Sequence, residues 1–250
     1  MDDILKSHNF NIDILPQPDD TTCGPTCLHA LYNYFGDAID LQSVIKEVHA
    51  FEGGGTLAVW LACHALKRGY EATIYTYNMQ VFDPTWFPYE KEEIIQKLKL
   101  QMACKVDEPK LILATHAYLE FFEKGGKIKL EDLTRDLLRK YLTQNIPVLT
   151  GLSSNFLYRT AREFGPFSDF DDVRGEPGGH FVILCGYDRE EKTIRIADPF
   201  LKNPYSKTLQ YEVEIDRVIC AILLGILTYD ANFLIIQPKK KNDKQKAVNV

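Results

Sequence analysis

Four side chains in this sequence stand in local settings that suit the four parts of acyl transfer through sulfur: a nucleophile, an oxyanion donor, a base and an orienting carboxylate. Two of them, Gln17 and Cys23, lie in Gln17-Pro18-Asp19-Asp20-Thr21-Thr22-Cys23-Gly24-Pro25-Thr26-Cys27-Leu28. His180 follows Gly178-Gly179 at the head of Phe181-Val182-Ile183-Leu184, and Asp198 stands in Ile196-Ala197-Asp198-Pro199. A thiol in the first turn of a helix meets the positive end of the macrodipole and unpaired N–H groups, both of which favour the thiolate that attacks carbonyl carbon. Gly24 beside it lets a substrate backbone come close. Gln17, on the turn leading in, can bring a side-chain N–H near the sulfur, where it would share an oxyanion with the Cys23 backbone N–H. The competing reading of Cys23 is a space-filling core thiol, and of Gln17 a loop side chain facing water.

His180 and Asp198 are linked by strand register. Asp188-Arg189-Glu190-Glu191-Lys192 reads as a polar hairpin connection between two strands. A pairing in which His180 faces Asp198, Val182 faces Ile196 and Leu184 faces Ile194 puts all six side chains on one face. Asp198 would then fix the tautomer and aim of the imidazole. Asp188 is the rival carboxylate, but it lies at the turn, where an aspartate has a local role. A metal site built from Cys23, Cys27 and His29 lacks the second pair of ligands that structural zinc uses. Neither a metal nor a cofactor is expected.

These residues must be held by a helix after Thr22 and by late strands. The pattern predicts helices from just after Thr22 to about Phe35, from Leu41 to His49 and from Thr56 to Lys67, with Gly36 and Gly69 as stops. Pro25 fits a first turn. Residues 53–55, a glycine triplet, have neither the preceding strand nor the following Lys-Ser/Thr of a phosphate loop and read as a helix–helix connection. Tyr70 to Tyr77 alternates as a strand, Lys91 to Cys104 and Leu111 to Lys124 are helical, and Glu131 to Thr143 is an amphipathic helix. Strands are expected at Ile146 to Leu152, His180 to Tyr187, Thr193 to Asp198, Thr208 to Val213 and Asn232 to Gln237. Residues 1–22 and 153–179 read as irregular, the latter as a functional loop rich in aromatic and acidic side chains, including Phe164, Phe167 and Asp172. Helices first and an antiparallel sheet later make an α+β layout.

Bulk properties agree. The 250 residues are 45% hydrophobic and 26% charged, with a net charge of -6, ordinary for a globular chain and unsuited to nucleic acid. The start of the chain has no secretory signal, and the longest apolar stretch, Val218 to Leu227, is too short to span a bilayer. The six cysteines are scattered as reduced thiols would be. A cytoplasmic protein is expected, with no membrane partner, a polar disordered tail over 238–250, and no feature that fixes an oligomeric state.

The set Gln17-x5-Cys23-Gly24-x2-Cys27-Leu28, Gly179-His180-Phe181-Val182 with Gly186-Tyr187-Asp188, and Ala197-Asp198-Pro199 resembles the C39 and C39-like cysteine peptidases. The resemblance covers about residues 14–36 and 178–237. It implies one papain-like domain over 1–237, N-terminal helices packed on a C-terminal antiparallel sheet. It also implies a triad of Cys23, His180 and Asp198, and Gln17 as oxyanion donor. The expected activity is hydrolysis of a peptide or amide substrate; the alternatives are acyl transfer through the same thioester and a silent binding module. Residues 78–129 form a helical insertion relative to that pattern. Thr22 stands where transporter-attached relatives often carry an acid, and no membrane or ATP-binding domain follows, so export-coupled leader removal is not implied. Gly24, Gly179, Phe164 and Asp172 are the expected substrate contacts, and the acidic loop suits a basic or amine-bearing ligand.

Overall fold

The computed structural model describes residues 6–165 and 168–239. Phe167, and the expected tail from residue 240 on, lie outside them. In chain order the elements are β1 (Ser7–Asn9), α1 (Cys23–Tyr34), α2 (Leu41–Glu47), α3 (Ala58–Lys67), β2 (Tyr70–Thr76), α4 (Lys91–Cys104), α5 (Pro109–Glu123), β3 (Lys127–Lys129), α6 (Arg135–Leu142), β4 (Val148–Ser153), α7 (Ser154–Tyr158), β5 (Glu163–Phe164), β6 (Asp169–Phe170), β7 (Gly179–Asp188), β8 (Thr193–Ala197), β9 (Gln210–Glu214), α8 (Ile215–Leu224) and β10 (Asn232–Pro238). The fold is α+β, as the helix-then-strand order predicts. Eight strands form one sheet in the order β3-β2-β10-β4-β7-β8-β9, with β1 on β7. Among the described residues, only the β2–β3 pair of this sheet is parallel.

Both faces of this sheet are covered. Leu28 and Leu31 of α1, Leu61 of α3 and Phe121 of α5 share a buried cluster with Ile183, Leu234 and Ile236. On the other face Leu138 of α6, Leu157 of α7 and Ile222 of α8 pack with Val182, Leu184, Phe233 and Ile235. Alternate residues of β10 thus serve opposite cores, the two-residue period of a doubly covered strand. The second helical layer was not expected. The apolar run after Ile215 is α8, and the stretch 153–179 holds α7 and the β5–β6 ribbon. The Ser153 side chain accepts from the Phe156 N–H to start α7, a capping signal that the aromatic composition of the stretch concealed. The chain before Thr22 likewise supplies a strand, β1.

The β7–β8 register differs from the expected one. Ile183 pairs with Ala197 and Leu184 with Ile196, then the pairing shifts so that Tyr187 faces Ile194 and Asp188 faces Thr193. Cys185 is the extra residue of a β-bulge. In the register set by the turn, odd positions of β7 share a face with even positions of β8. After the bulge, even positions match even, which returns His180 to the face of Asp198. Leu184 and Tyr187, separated by an odd number of positions, accordingly lie in one cluster. Without the bulge, Phe181 would take the place of His180. The bulge is tight: a Cβ on Gly186 would sit 1.9 Å from Asn9 Oδ1 and 2.9 Å from the Asn9 Cα. Gly186→Ala should therefore push β1 off β7 and destabilise the fold by about 1–3 kcal/mol, a fall in Tm of roughly 2–10 °C. An unchanged melting curve would show that the bulge does not depend on this contact.

Candidate active site

Cys23 is the first residue of α1 and is buried. A turn anchored by Asp19 delivers it: Asp19 Oδ1 accepts from the Thr21 N–H at 2.8 Å and from the Thr21 hydroxyl at 2.7 Å. Burial works against the Asp19 carboxylate, but these bonds outweigh it and hold its pKa below the usual value. Thr22 occupies the cap position without a side-chain cap; its hydroxyl is directed back to the Asp19 carbonyl. Gly24 is closely packed, since a Cβ there would meet the Thr56 methyl at 2.6 Å. Cys27 donates to the Phe181 carbonyl and burial pushes its thiol up, as a core thiol should be. His29 hydrogen-bonds to Asn33.

His180 is the second residue of β7, with the Tyr158 and Phe200 rings centred 6.0 and 6.1 Å from its own. Its Nε2 lies 2.8 Å from Asp198 Oδ1, which leaves Nδ1 for Cys23, its second hydrogen-bonding partner. The two side chains meet on a diagonal of the shifted register, within reach of a long side chain. Burial alone would lower the imidazole pKa. The charges of Asp198 and Cys23, with the hydrogen bonds to both, reverse the sign and raise it to about 10.

Asp198 has no exposed surface. Its Oδ1 also accepts from the Phe200 N–H at 2.8 Å. Its Oδ2 accepts from the Tyr158 hydroxyl at 2.6 Å and the Tyr211 hydroxyl at 2.5 Å. Burial favours the protonated acid, yet His180 and these donors hold the pKa below the ordinary range. Neither tyrosine stood out in the sequence. Tyr211 lay in an expected strand, and Tyr158 in a segment expected to be irregular.

Gln17 is tied by its backbone N–H to the Pro199 carbonyl at 2.9 Å, which brings it beside the segment that carries Asp198. Its Nε2 donates to the Asp19 carbonyl at 2.9 Å, while its Oε1 is buried without a partner.

A groove of about 470 Å³ opens at Cys23, walled by Gly53 to Gly55, Gly179, Phe181 and Thr228, with Asp230 among its lining residues. The glycine triplet is therefore groove wall as well as connection. Phe164 and Asp172 do not line it: Arg174 covers the Phe164 ring at 4.2 Å, and the Asp172 carbonyl accepts from Arg162. Asp230, which nothing in the sequence singled out, accepts from the Ala58 N–H at 2.9 Å. Burial, only partly offset by that bond, pushes its pKa up to about 7. No helix among the described residues is long and apolar enough to cross a membrane.

The layered, mainly antiparallel sheet with its covering helices is the fold of C39-like peptidase structures. The chain belongs to the Peptidase_C39 like family, whose model matches residues 10–217. Among solved structures it is similar to a C39-like peptidase candidate from Bacillus anthracis, at 14% identity and a TM-score of 0.51, over 94% of this chain and 99% of that one. Less similar are the peptidase domain of Streptococcus ComA, a bi-functional ABC transporter involved in quorum sensing (14%, 92% and 100%, TM-score 0.43), and xylellain, a cysteine protease from Xylella fastidiosa (12%, 94% and 87%, TM-score 0.46). No curated protein is significantly similar to the chain.

Because Asp198 relies on four donors, Tyr211→Phe should destabilise the fold by about 1–3 kcal/mol at neutral pH. A carboxylate whose folded pKa is depressed contributes stability above its unfolded pKa and loses it as pH falls through the folded one. The deficit of the variant should thus be full at pH 7 and narrow below pH ~4. Urea titrations across that range would expose the idea as wrong if the deficit were independent of pH.

Proposed function

We propose that this chain is a cysteine peptidase or close amide hydrolase, with Cys23 as nucleophile, His180 as acid and base, Asp198 as the orienting carboxylate and Gln17 as oxyanion donor. The observation that carries the reading is the imidazole held between a buried carboxylate and the sulfur at the start of α1. Nδ1 takes the thiol proton, and sulfur bonds to the acyl carbon as the carbonyl π electrons move to oxygen. The oxyanion is met by the Cys23 backbone N–H and by the Gln17 amide. Gln17 is tethered next to the Asp198 segment through the Pro199 carbonyl, and it serves when its Nε2 leaves the Asp19 carbonyl, which it now binds, for the oxyanion. The tetrahedral species collapses as His180 gives its proton to the leaving nitrogen, so the C–N bond breaks and a thioester remains. Water then loses a proton to His180 and adds to the thioester. Its collapse returns the thiol and releases the acid.

Cys104 and Cys220 are exposed free thiols, unlike the buried Cys23, so labelling must be mapped by site. A peptidyl electrophile should modify Cys23 first, and Cys23→Ala should abolish that adduct while its circular dichroism matches wild type. An adduct distribution unchanged by the substitution would falsify the assignment. Wild-type kcat/KM should keep its alkaline limb far above the ordinary histidine range of about 6.5, towards about 10, because Asp198 and Cys23 outweigh burial in holding the imidazolium. Asp198→Asn should draw that limb down. A wild-type limb near pH 6.5 would mean that the ion pair does not govern the proton transfers.

A further inference from the structure

We infer that Asp230 forms the anionic floor of a cation subsite in the Cys23 groove, so that the acyl substrate carries a lysine- or arginine-like side chain beside the bond that is cut. This rests on the reading of Cys23 as the nucleophile. Asp230 and Cys23 line one groove, yet Asp230 is only 6% exposed. Its Oδ1 takes the Ala58 N–H. That is its single side-chain bond, and it joins no ion pair among the described residues. A carboxylate so buried is normally matched by a cation or by several donors. Here one oxygen is left for whatever enters the groove.

The backbone is bent to hold it there. Tyr229 has φ +73° and Ala231 φ +22°, a region that non-glycine residues occupy at about 1–3 kcal/mol each and only where their surroundings enforce it. Here the Asn78 side chain binds the Tyr229 carbonyl at 2.6 Å, the Tyr77 N–H binds the Ala231 carbonyl at 2.8 Å, and the Asp230 N–H binds the Gly225 carbonyl at 3.0 Å. Gly151 gives way as well, since a Cβ there would meet the Asp230 Cβ at 2.7 Å. Capping α3 alone does not account for this, because Ala58 N–H needs one acceptor and a neutral asparagine oxygen would serve. Asp20 and Glu176 add negative charge to the same lining, against Lys110 as its one cation. A cationic side chain would gain both the general potential and a specific desolvated partner.

The test compares Nα-acetyl-lysine amide with its neutral isostere, Nα-acetyl-norleucine amide, by following the backbone amide shifts of Gly53, Gly54, Gly55 and Gly179 in the intact protein. Wild type should bind the lysine compound at least tenfold more tightly, with the shifts confined to the groove. Asp230→Asn keeps an acceptor for Ala58 and should bring the ratio close to one. Equal binding by wild type, binding elsewhere on the molecule, or a ratio unchanged in Asp230→Asn would each overturn the subsite. The wild-type comparison decides alone if the variant does not fold. Because the readout is binding, a chain that bound lysine amide but cleaved nothing would sink the peptidase reading and leave the subsite standing.

Discussion

Asp198 has no solvent-exposed surface, and an unpaired carboxylate there would be unfavourable by several kcal/mol. It persists as an anion because His180, Tyr158, Tyr211 and the Phe200 N–H all donate to it. Those donors come from β7, the end of α7, β9 and the turn after β8. The carboxylate is therefore a common point for parts of the chain that are distant in sequence. Each part must arrive correctly for the charge to be tolerated. Tyr211 is itself stacked on Tyr205 at 5.0 Å, and Tyr205 is held by Arg217 and the Leu157 carbonyl. Asp198 is thus fixed by packing beyond its own bonds, and with it the imidazole it holds beside the Cys23 sulfur.

The sheet provides the second constraint. Position parity decides which face a side chain occupies, so one extra residue at Cys185 determines that His180 and not Phe181 shares the Asp198 face. Phe181 is left to pack with α1, and its carbonyl receives the Cys27 thiol. The same bulge therefore aligns the helix that carries Cys23 with the strand that carries His180. A feature that looks like an irregularity of the ladder sets the geometry of the site.

Much of this was legible in residues. The α1 start, the α4 helix and the shared face of Val182, Leu184, Ile194 and Ile196 follow from periodicity. The His180–Asp198 partnership was reached through a register two positions off, because parity survives an even error whereas direct opposition does not. The bulge itself is not readable: nothing in Leu184-Cys185-Gly186 separates a bulged from a regular strand. Tyr158 was hidden because a one-and-a-half-turn helix has too few residues for a periodic signal. Asp230 stands alone between Tyr229 and Ala231, and its importance comes from strain and long-range contacts that no local pattern carries. Glycine signals close approach without saying what approaches; at Gly24 the close neighbour within the fold is Thr56.

The groove also brings together two helix starts of opposite character. α1 presents Cys23 with no acidic residue in its first turn and no side-chain cap, so its N–H groups and positive end remain available to a developing thiolate or oxyanion. α3 presents Ala58, whose N–H is taken by Asp230 from across the fold. A helix terminus carries roughly half a unit of positive charge, so an ionised Asp230 more than cancels it and leaves that end of the groove negative. If both starts were bare, the groove would repel a cationic side chain throughout; if both were capped by carboxylates, Cys23 would lose its field. On the proposed reading, one bare and one over-neutralised terminus would divide the groove into an electrophilic end for the acyl oxygen and an anionic end for the side chain next to it. The substrate would then be oriented by charge before any side-chain contact is complete.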